Sequence, residues 1–308
     1  MKDIILLAGP TASGKSALAL ELAERSRGVV INADALQVYR DLRVLTARPS
    51  AEDEARVPHR LYGHVAAAES YSVGRWLGEV ADALAEARSE GWLPIVVGGT
   101  GLYFKALTEG LAKVPAIPPA IREKWRAALA EEGPAALHRR LAALDPEGAS
   151  AIRPSDPARI VRALEVIDAT GTPLAEWHRA GAAPPLVAGK VRRFVIEIDR
   201  TVLLERIGTR LEAMVRGGAL EEAAALAGMR LGPAMPIMKA VGVRELLAHI
   251  EGRLSLEEAL AGAKHATARY AKRQTTWFRN QMADWERVDT SNIPKLAEAL
   301  AQQTKKMD

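Results

Sequence analysis

Residues 9–16 read Gly9-Pro10-Thr11-Ala12-Ser13-Gly14-Lys15-Ser16 and meet every fixed position of the pattern G-x-x-x-x-G-K-[ST]. Glycines let a backbone wrap closely around phosphate oxygens, so that several N–H groups point inward. The helix expected to follow adds the positive end of its dipole. Lys15 supplies a mobile cation, and the Ser16 hydroxyl is the metal ligand that the motif offers to Mg2+. All eight residues are candidate phosphate-binding positions. The motif is widespread among nucleotide-binding and ATP-binding proteins, but what it specifies is a phosphate, most often a di- or triphosphate. Its flanks fit: residues 4–8 form an apolar run that predicts a strand, and residues 17–25 carry a helical pattern.

Working outward, residues 28–32 predict a second buried strand, 94–97 a third that ends at the Gly98–Gly101 turn, and 194–198 a fourth. A helical pattern over 73–90 separates the second from the third. Short apolar strands alternating with helices imply a parallel sheet covered on both faces. Between Val114 and Lys190 the texture changes. Pro115, Pro118 and Pro119 mark a break, and helical segments over 121–132, 135–144 and 158–170 follow without a strand candidate; Gly181 to Pro185 marks the return. The predicted class is α/β, a P-loop parallel sheet covered by helices with an inserted all-helical domain. Residues 1–113 and 190–308 form the core and 114–189 the insertion. After Arg200 helix is expected to about residue 283, and the polar tail from Gln302 is expected to fray.

The chain has 308 residues, 48% of them hydrophobic, enough for one large or two modest domains with a real core. No run reaches the roughly 18 apolar residues of a membrane span, and the 4–8 run is too short for the apolar region of a signal peptide. There is no cysteine, which removes disulfides, thiolate zinc sites and cysteine nucleophiles and fits a cytoplasmic protein. The histidines at 59, 64, 138, 178, 249 and 265 have no metal-like spacing. The net charge of +4 is mild, but its distribution is not. Residues 264–281 carry Lys264, Arg269, Lys272, Arg273 and Arg279 and no acid, interleaved with Tyr270, Trp277 and Phe278. That is the makeup of a helix that meets a polyanion, or of a solvated helix that packs its aromatics inward.

Three further stretches carry chemistry. Asp34, in Asn32-Ala33-Asp34-Ala35-Leu36-Gln37, follows the second strand at the edge where ligands bind in open α/β sheets. It suits a magnesium-holding acid, a general base or a helix N-cap. Gln37, one turn on, offers a donor and an acceptor that suit a nucleobase edge. Thr100, within Gly98-Gly99-Thr100-Gly101, puts a hydroxyl on the same edge, or caps the turn. Arg159 and Arg162, three apart, share a helix face that suits phosphates, or else Arg162 pairs with Glu165 on a solvated face.

In this order, these stretches resemble the bacterial tRNA dimethylallyltransferases of the tRNA isopentenyltransferase family. The matching pieces are GPTASGKS, D-x-x-Q-V-Y (34–39), T-A-R-P (46–49), GGTGLYFKAL (98–107), DPARIVRALEV (156–166), M-x-x-x-G-x-x-E-E (214–222), KAVGVRE (239–245) and YAKRQTTWFR (270–279). Three positions depart from the family pattern: Leu45 stands where Gly is usual, Arg48 where Lys is usual, and Val243 where Tyr is usual. A cysteine-free chain also lacks the zinc finger of eukaryotic relatives.

The resemblance implies transfer of a dimethylallyl group from dimethylallyl diphosphate to N6 of adenosine 37, in tRNAs reading U-starting codons, with release of diphosphate. The loop at 9–16 would then hold the diphosphate together with Mg2+. Asp34 would take the proton of the attacking amine, and Thr100 would place a hydroxyl near that amine or the diphosphate. Asp34, Ala35, Leu36, Gln37, Thr100, Arg122, Ala158, Arg159, Ile160, Val161 and Arg162 would line the tRNA side. The insertion would clamp the anticodon stem-loop. The protein would act off the membrane, by default as a monomer. Competing expectations are a small-molecule P-loop kinase, a nucleotide-switched RNA-binding protein and an adenylate isopentenyltransferase.

Overall fold

The structure is a computed structural model and describes residues 4–181 and 191–305. The chain divides into two compact units, one made of Met1–Thr108 with Pro185–Asp308 and the other of Glu109–Pro184. The elements of the first part are β1 (Ile4–Ala8), α1 (Lys15–Ser26), β2 (Gly28–Asn32), α2 (Ala51–Arg56), β3 (His59–Arg60), α3 (Val73–Ser89), β4 (Leu93–Gly98) and α4 (Gly101–Glu109). The second unit holds α5 (Pro119–Leu144), α6 (Pro146–Ser150), α7 (Pro157–Thr170) and α8 (Leu174–Ala180). The first unit resumes with β5 (Val191–Glu197), α9 (Arg200–Arg216), α10 (Ala219–Gly228), a 3-10 turn (Pro236–Lys239), α11 (Val243–Ile250), α12 (Leu256–Gln281), β6 (Glu286–Asp289) and α13 (Ile293–Lys305).

Six strands form one sheet in the order β3-β2-β4-β1-β5-β6, every pairing parallel. Alternate side chains of a strand point to opposite faces, and both faces are covered. Ile4, Leu6, Ile31 and Val96 pack under α3 and α4 with Trp76, Phe104 and Phe278. Ile5, Leu7, Val30, Ile95 and Val97 pack under α1 and α13. A third cluster joins the 38–67 segment to α10, α11 and the start of α12 through Val38, Tyr39, Leu45, Leu246 and Ala259.

Two strands, β3 and β6, lie beyond the four expected. β3 has two residues, and β6 reads Glu-Arg-Val-Asp with only Val288 buried; neither carries an apolar run. α1 begins at Lys15 rather than Ala17, because Gly14 (φ +91°) opens the helix directly. The stretch after Arg200 is not one helical run: Gly217–Gly218, the turn around Pro236 and Gly242 divide it. α13 carries helix through residues 302–305, where fraying was expected. The expected junction at 189–190 and the last residues, 306–308, lie outside the described residues.

In the second unit α5 is broken at Gly133 (φ +77°), followed by Pro134, so 121–132 and 135–144 are separate segments. Trp125, Leu137, Leu141, Ile160 and Leu164 form this unit's own core. No helix among the described residues is long and apolar enough to cross a membrane.

Trp76 anchors the face under α3. It is fully buried, its Nε1 donates to the Asn32 carbonyl at 2.8 Å, and its ring stacks on Tyr103 at 4.4 Å. Trp76→Ala is expected to cost about 3–5 kcal/mol of stability, read from the urea midpoint at unchanged slope.

Candidate active site

Three strand ends build the site. Where β1, β2 and β4 finish, hydrogen bonds continue beyond the ladder: Ala33 N–H donates to Val97 O at 2.8 Å, Thr100 N–H to Ala33 O at 3.2 Å, and Gly9 N–H to Gly98 O at 3.3 Å. The strands approach so closely that a Cβ on Gly98 would lie 2.1 Å from the Ala33 carbonyl oxygen; only glycine fits. The phosphate-loop pattern, Asp34 and the Gly98–Gly101 turn are thereby brought to one edge of the sheet.

The phosphate loop is held from outside. Gln274 of α12, buried, accepts Thr11 N–H on Oε1 at 2.8 Å and donates through Nε2 to Gly99 O at 2.9 Å. Thr290, also buried, donates its hydroxyl to Ser13 O at 2.7 Å, and Arg206 Nη1 reaches the same oxygen at 3.4 Å. Arg210 Nη1 donates to Thr11 Oγ1 at 3.4 Å.

A cavity of about 320 Å3 opens inside this edge. One end is cationic: Lys15 and Arg210 face Thr11, Ala12, Gly14 and Ser16. Burial pushes the Lys15 ammonium down to about 8; the Asp34 carboxylate works against that fall and the Arg210 guanidinium adds to it. Burial also lowers Arg210, again opposed by Asp34. Away from these groups the wall is largely apolar, with Leu36, Leu45, Leu211, Met214 and Val241, while Ile207 packs beside Ala12 of the loop. Asp34 and Tyr270 line the same cavity. Burial raises the Tyr270 phenol well above its usual range, and the Asp34 carboxylate raises it further, so Tyr270 stays a neutral hydrogen-bonding group.

Asp34 sits in an Asx turn. Its own N–H donates to Asn32 Oδ1 at 2.8 Å, and its Oδ1 accepts Leu36 N–H at 3.0 Å. One carboxylate oxygen is thus fixed by the backbone, and among the described residues nothing donates to Oδ2. Thr100 lies behind this turn: its Oγ1 accepts Ala35 N–H at 3.0 Å, and it is not part of the cavity wall. Its hydroxyl oxygen thus supports the turn that carries Asp34, and its own proton is left free among the described residues.

Gln37 also departs from expectation. Its Nε2 donates to Thr46 O at 2.8 Å and to Ala47 O at 3.0 Å, so both amide protons are spent on holding the 42–47 turn, and only its oxygen remains for a base. Ala35 and Leu36 adjoin Asp34 at the same edge, with Leu36 in the wall.

The residues proposed for the helical insertion lie in the second unit. Arg122 is exposed on α5. On α7, Ala158 and Arg159 are exposed and Arg162 is half-buried, with Nη1 3.7 Å from Glu165 Oε2. Ile160 and Val161 are buried among Leu137, Leu141 and Leu164. Their side chains are core, which corrects the expectation that all five positions offer surface to RNA.

Arg210 and Arg206 were not singled out from the sequence. The signal lay in α9, where Arg206 and Arg210 stand four apart beside the apolar spacing Ile207–Leu211–Met214.

The IPP transferase family model matches residues 37–281, and the isopentenyl transferase model matches residues 2–64. The chain belongs to the IPP transferase family. Among curated proteins, the tRNA dimethylallyltransferase of Azorhizobium caulinodans is 55% identical over 92% of this chain and 91% of its own length. That of Rhodopseudomonas palustris strain BisB18 is 53% identical over 97% and 94%. Among solved structures, the tRNA isopentenylpyrophosphate transferase of Bacillus halodurans superposes with a TM-score of 0.69 at 32% identity, covering 99% of this chain and 98% of that one. A eukaryotic dimethylallyltransferase captured acting on tRNA gives 0.80 at 26% identity, covering 95% of this chain and 75% of that one. The cavity of this family member combines cationic and apolar side chains.

Among the described residues no cluster of three His, Asp or Glu side chains can hold a metal alone. Asp34 is the one carboxylate in the wall, and the Ser16 hydroxyl lies beside it in the loop motif. So sparse a set of hard ligands suits a magnesium ion that takes its remaining ligands from a bound phosphate and water.

The buried Lys15 gives a pH signature. Its charge fades as pH rises through about 8, so affinity for inorganic pyrophosphate should fall between pH 7 and 9.5. Calorimetric titration checks this, and in Lys15→Ala that component of the pH dependence should vanish.

Proposed function

We propose that the protein transfers a dimethylallyl group from dimethylallyl diphosphate to the N6 amine of adenosine 37 in tRNAs reading U-starting codons. The observation that carries this reading is one cavity, in a member of the IPP transferase family, holding three parts: a cationic cradle, an apolar wall and a carboxylate with one free oxygen. A nucleoside triphosphate does not call for the apolar wall; an isoprenoid diphosphate does.

The residues act as follows. Backbone N–H groups of the loop, Lys15 and Arg210 hold the diphosphate and stabilise the charge that grows on it as its bond to the allylic carbon breaks. These donors are fixed before the reaction, the condition under which electrostatic stabilisation is strongest. Diphosphate binding also restores full protonation of Lys15. Ser16 would help to hold a Mg2+ ion when one is bound, and such an ion would supply further charge neutralisation on the leaving group. As N6 bonds to the allylic carbon, Asp34 Oδ2 accepts the amine proton; the aromatic amine is a weak nucleophile, and a positioned base is worth about 10²–10⁴ in rate. The Asx turn and Thr100 orient that carboxylate.

The target base must leave the anticodon-loop stack to reach Asp34, at a cost of about a few kcal/mol. On the outer side of α12, Arg269, Lys272 and Arg279 are exposed and have no carboxylate partner among the described residues. This side suits the RNA backbone. The inner side serves the cavity through Thr267, Tyr270 and Gln274. Arg122, Ala158, Arg159 and Arg162 are the positions of the helical unit open to tRNA, which acts as the clamp for the stem-loop. The cytoplasm is the compartment consistent with a cysteine-free tRNA-modifying enzyme.

Radiolabelled dimethylallyl diphosphate with Mg2+ and either unmodified tRNA or AMP tests the reading. Label is expected in tRNA; label in AMP, or in neither, defeats it. Asp34→Ala should lower kcat by about 10²–10⁴ while leaving donor binding nearly intact. Lys15→Ala should weaken donor binding and turnover together.

A further inference from the structure

We propose that the apolar end of the cavity limits the transferred chain to five carbons, and that Met214 and Leu45 are the side chains that set the limit. This rests on the prenyl-transfer reading above. α9 runs along the cavity as a ruler. Arg206 and Arg210 mark the diphosphate end, since they hydrogen-bond Ser13 O and the Thr11 hydroxyl. Leu211 follows, and Met214, four residues beyond Arg210 on the same face, stands about 6 Å further on at 1.5 Å rise per residue. With C–C bonds near 1.5 Å, the four-carbon run of a dimethylallyl group spans about 4 Å. That is shorter than the axial step from Arg210 to Met214. The eight-carbon run of a ten-carbon isoprenoid is more than twice as long and meets the Met214 side chain.

Leu45 belongs to the same apolar cluster as Met214, lines the same cavity and cannot retreat. Its backbone belongs to a turn whose successive N–H groups at Arg43, Val44 and Leu45 all donate to the Glu222 carboxylate, at 2.7, 2.7 and 3.0 Å. Thr46 Oγ1 donates to Leu42 O at 2.6 Å, and Gln37 clamps the carbonyls of Thr46 and Ala47. The Leu45 side chain is 7% exposed and abuts the 240–242 turn: a Cβ on Gly242 would lie 3.9 Å from Leu45 Cδ2. A turn fixed at this many points makes a rigid stop, and a rigid stop discriminates by size. Met214, unbranched and half-buried, fills what Leu45 leaves. Leu45 also stands where the family pattern has glycine, so this chain carries a bulkier wall there.

The test compares kcat/KM for dimethylallyl and geranyl diphosphates, with unmodified tRNA as acceptor, in the unaltered protein, Met214→Ala, Leu45→Ala and Met214→Leu. The unaltered protein should strongly prefer the five-carbon donor. Truncation at either position should raise the geranyl-to-dimethylallyl ratio about tenfold or more, the scale at which pockets discriminate a few methylenes. Met214→Leu, which keeps the volume, should retain the original ratio. Met214 is half-buried, so its truncation tests the proposal even where Leu45→Ala fails to fold. Competitive inhibition by the unreactive thiolo analogue of geranyl diphosphate, tighter in Met214→Ala, gives a readout independent of turnover. Dimethylallyl transfer with an unchanged ratio and unchanged inhibition in Met214→Ala overturns this proposal alone, as does equal use of both donors by the unaltered protein. Absence of transfer from either donor by the unaltered protein overturns the functional reading and this proposal with it.

Discussion

The site depends on one buried amide. Gln274 accepts the Thr11 N–H and donates to the Gly99 carbonyl, so it joins the loop after β1 to the turn after β4 without a covalent link. Breaking either contact would strand a buried polar group, which costs about 1–3 kcal/mol. The contact also fixes the rotation of α12 about its axis. With Gln274 pointing at the glycine turn, Tyr270 and Thr267, one and two turns earlier, must face the cavity, while Arg269, Lys272 and Arg279 turn to solvent. Gly99 makes the approach feasible: a Cβ there would lie 2.2 Å from Gln274 Nε2.

A second constraint is the crowding of cations in a dry place. Lys15 and Arg210 are both held below their ordinary ranges by burial, and Asp34 is the carboxylate that opposes this in both cases. An empty cradle is therefore electrostatically uncomfortable, and an arriving anion relieves it. Asp34 thus balances the cradle, and in the proposed reaction the same carboxylate would offer Oδ2 to the acceptor. Thr100 helps to fix the turn on which Asp34 rides, by accepting the Ala35 N–H.

The central strands and the phosphate loop were legible because both signals are local. β1, β2 and β4 are continuous apolar runs, and the loop is a contiguous motif. β3 and β6 were not, since an edge strand of two residues or of mostly charged residues carries no pattern of its own. The site was legible in its parts but less so in its roles. Gln37 reads as a base-recognising amide until Thr46 and Ala47 are seen to occupy both of its protons. Arg210 escaped notice because its partner, Thr11, lies 199 residues away. Ile160 and Val161 fell inside a matching motif, yet helix geometry turns them into the core of the second unit while Arg159 faces out. A motif marks a segment, and the fold decides which of its side chains reach the ligand.

The two unread strands have a consequence of their own. A sheet with open edges is a template on which another chain can pair, and proteins blunt such edges with short strands and charge. Here one edge ends in the two residues of β3 and the other in the Glu-Arg-Val-Asp of β6, where Glu286 and Arg192 approach to 3.7 Å. The four central strands thus sit between two poor templates. The same features that hid these strands from sequence reading protect a strongly hydrophobic parallel sheet from edge-to-edge aggregation.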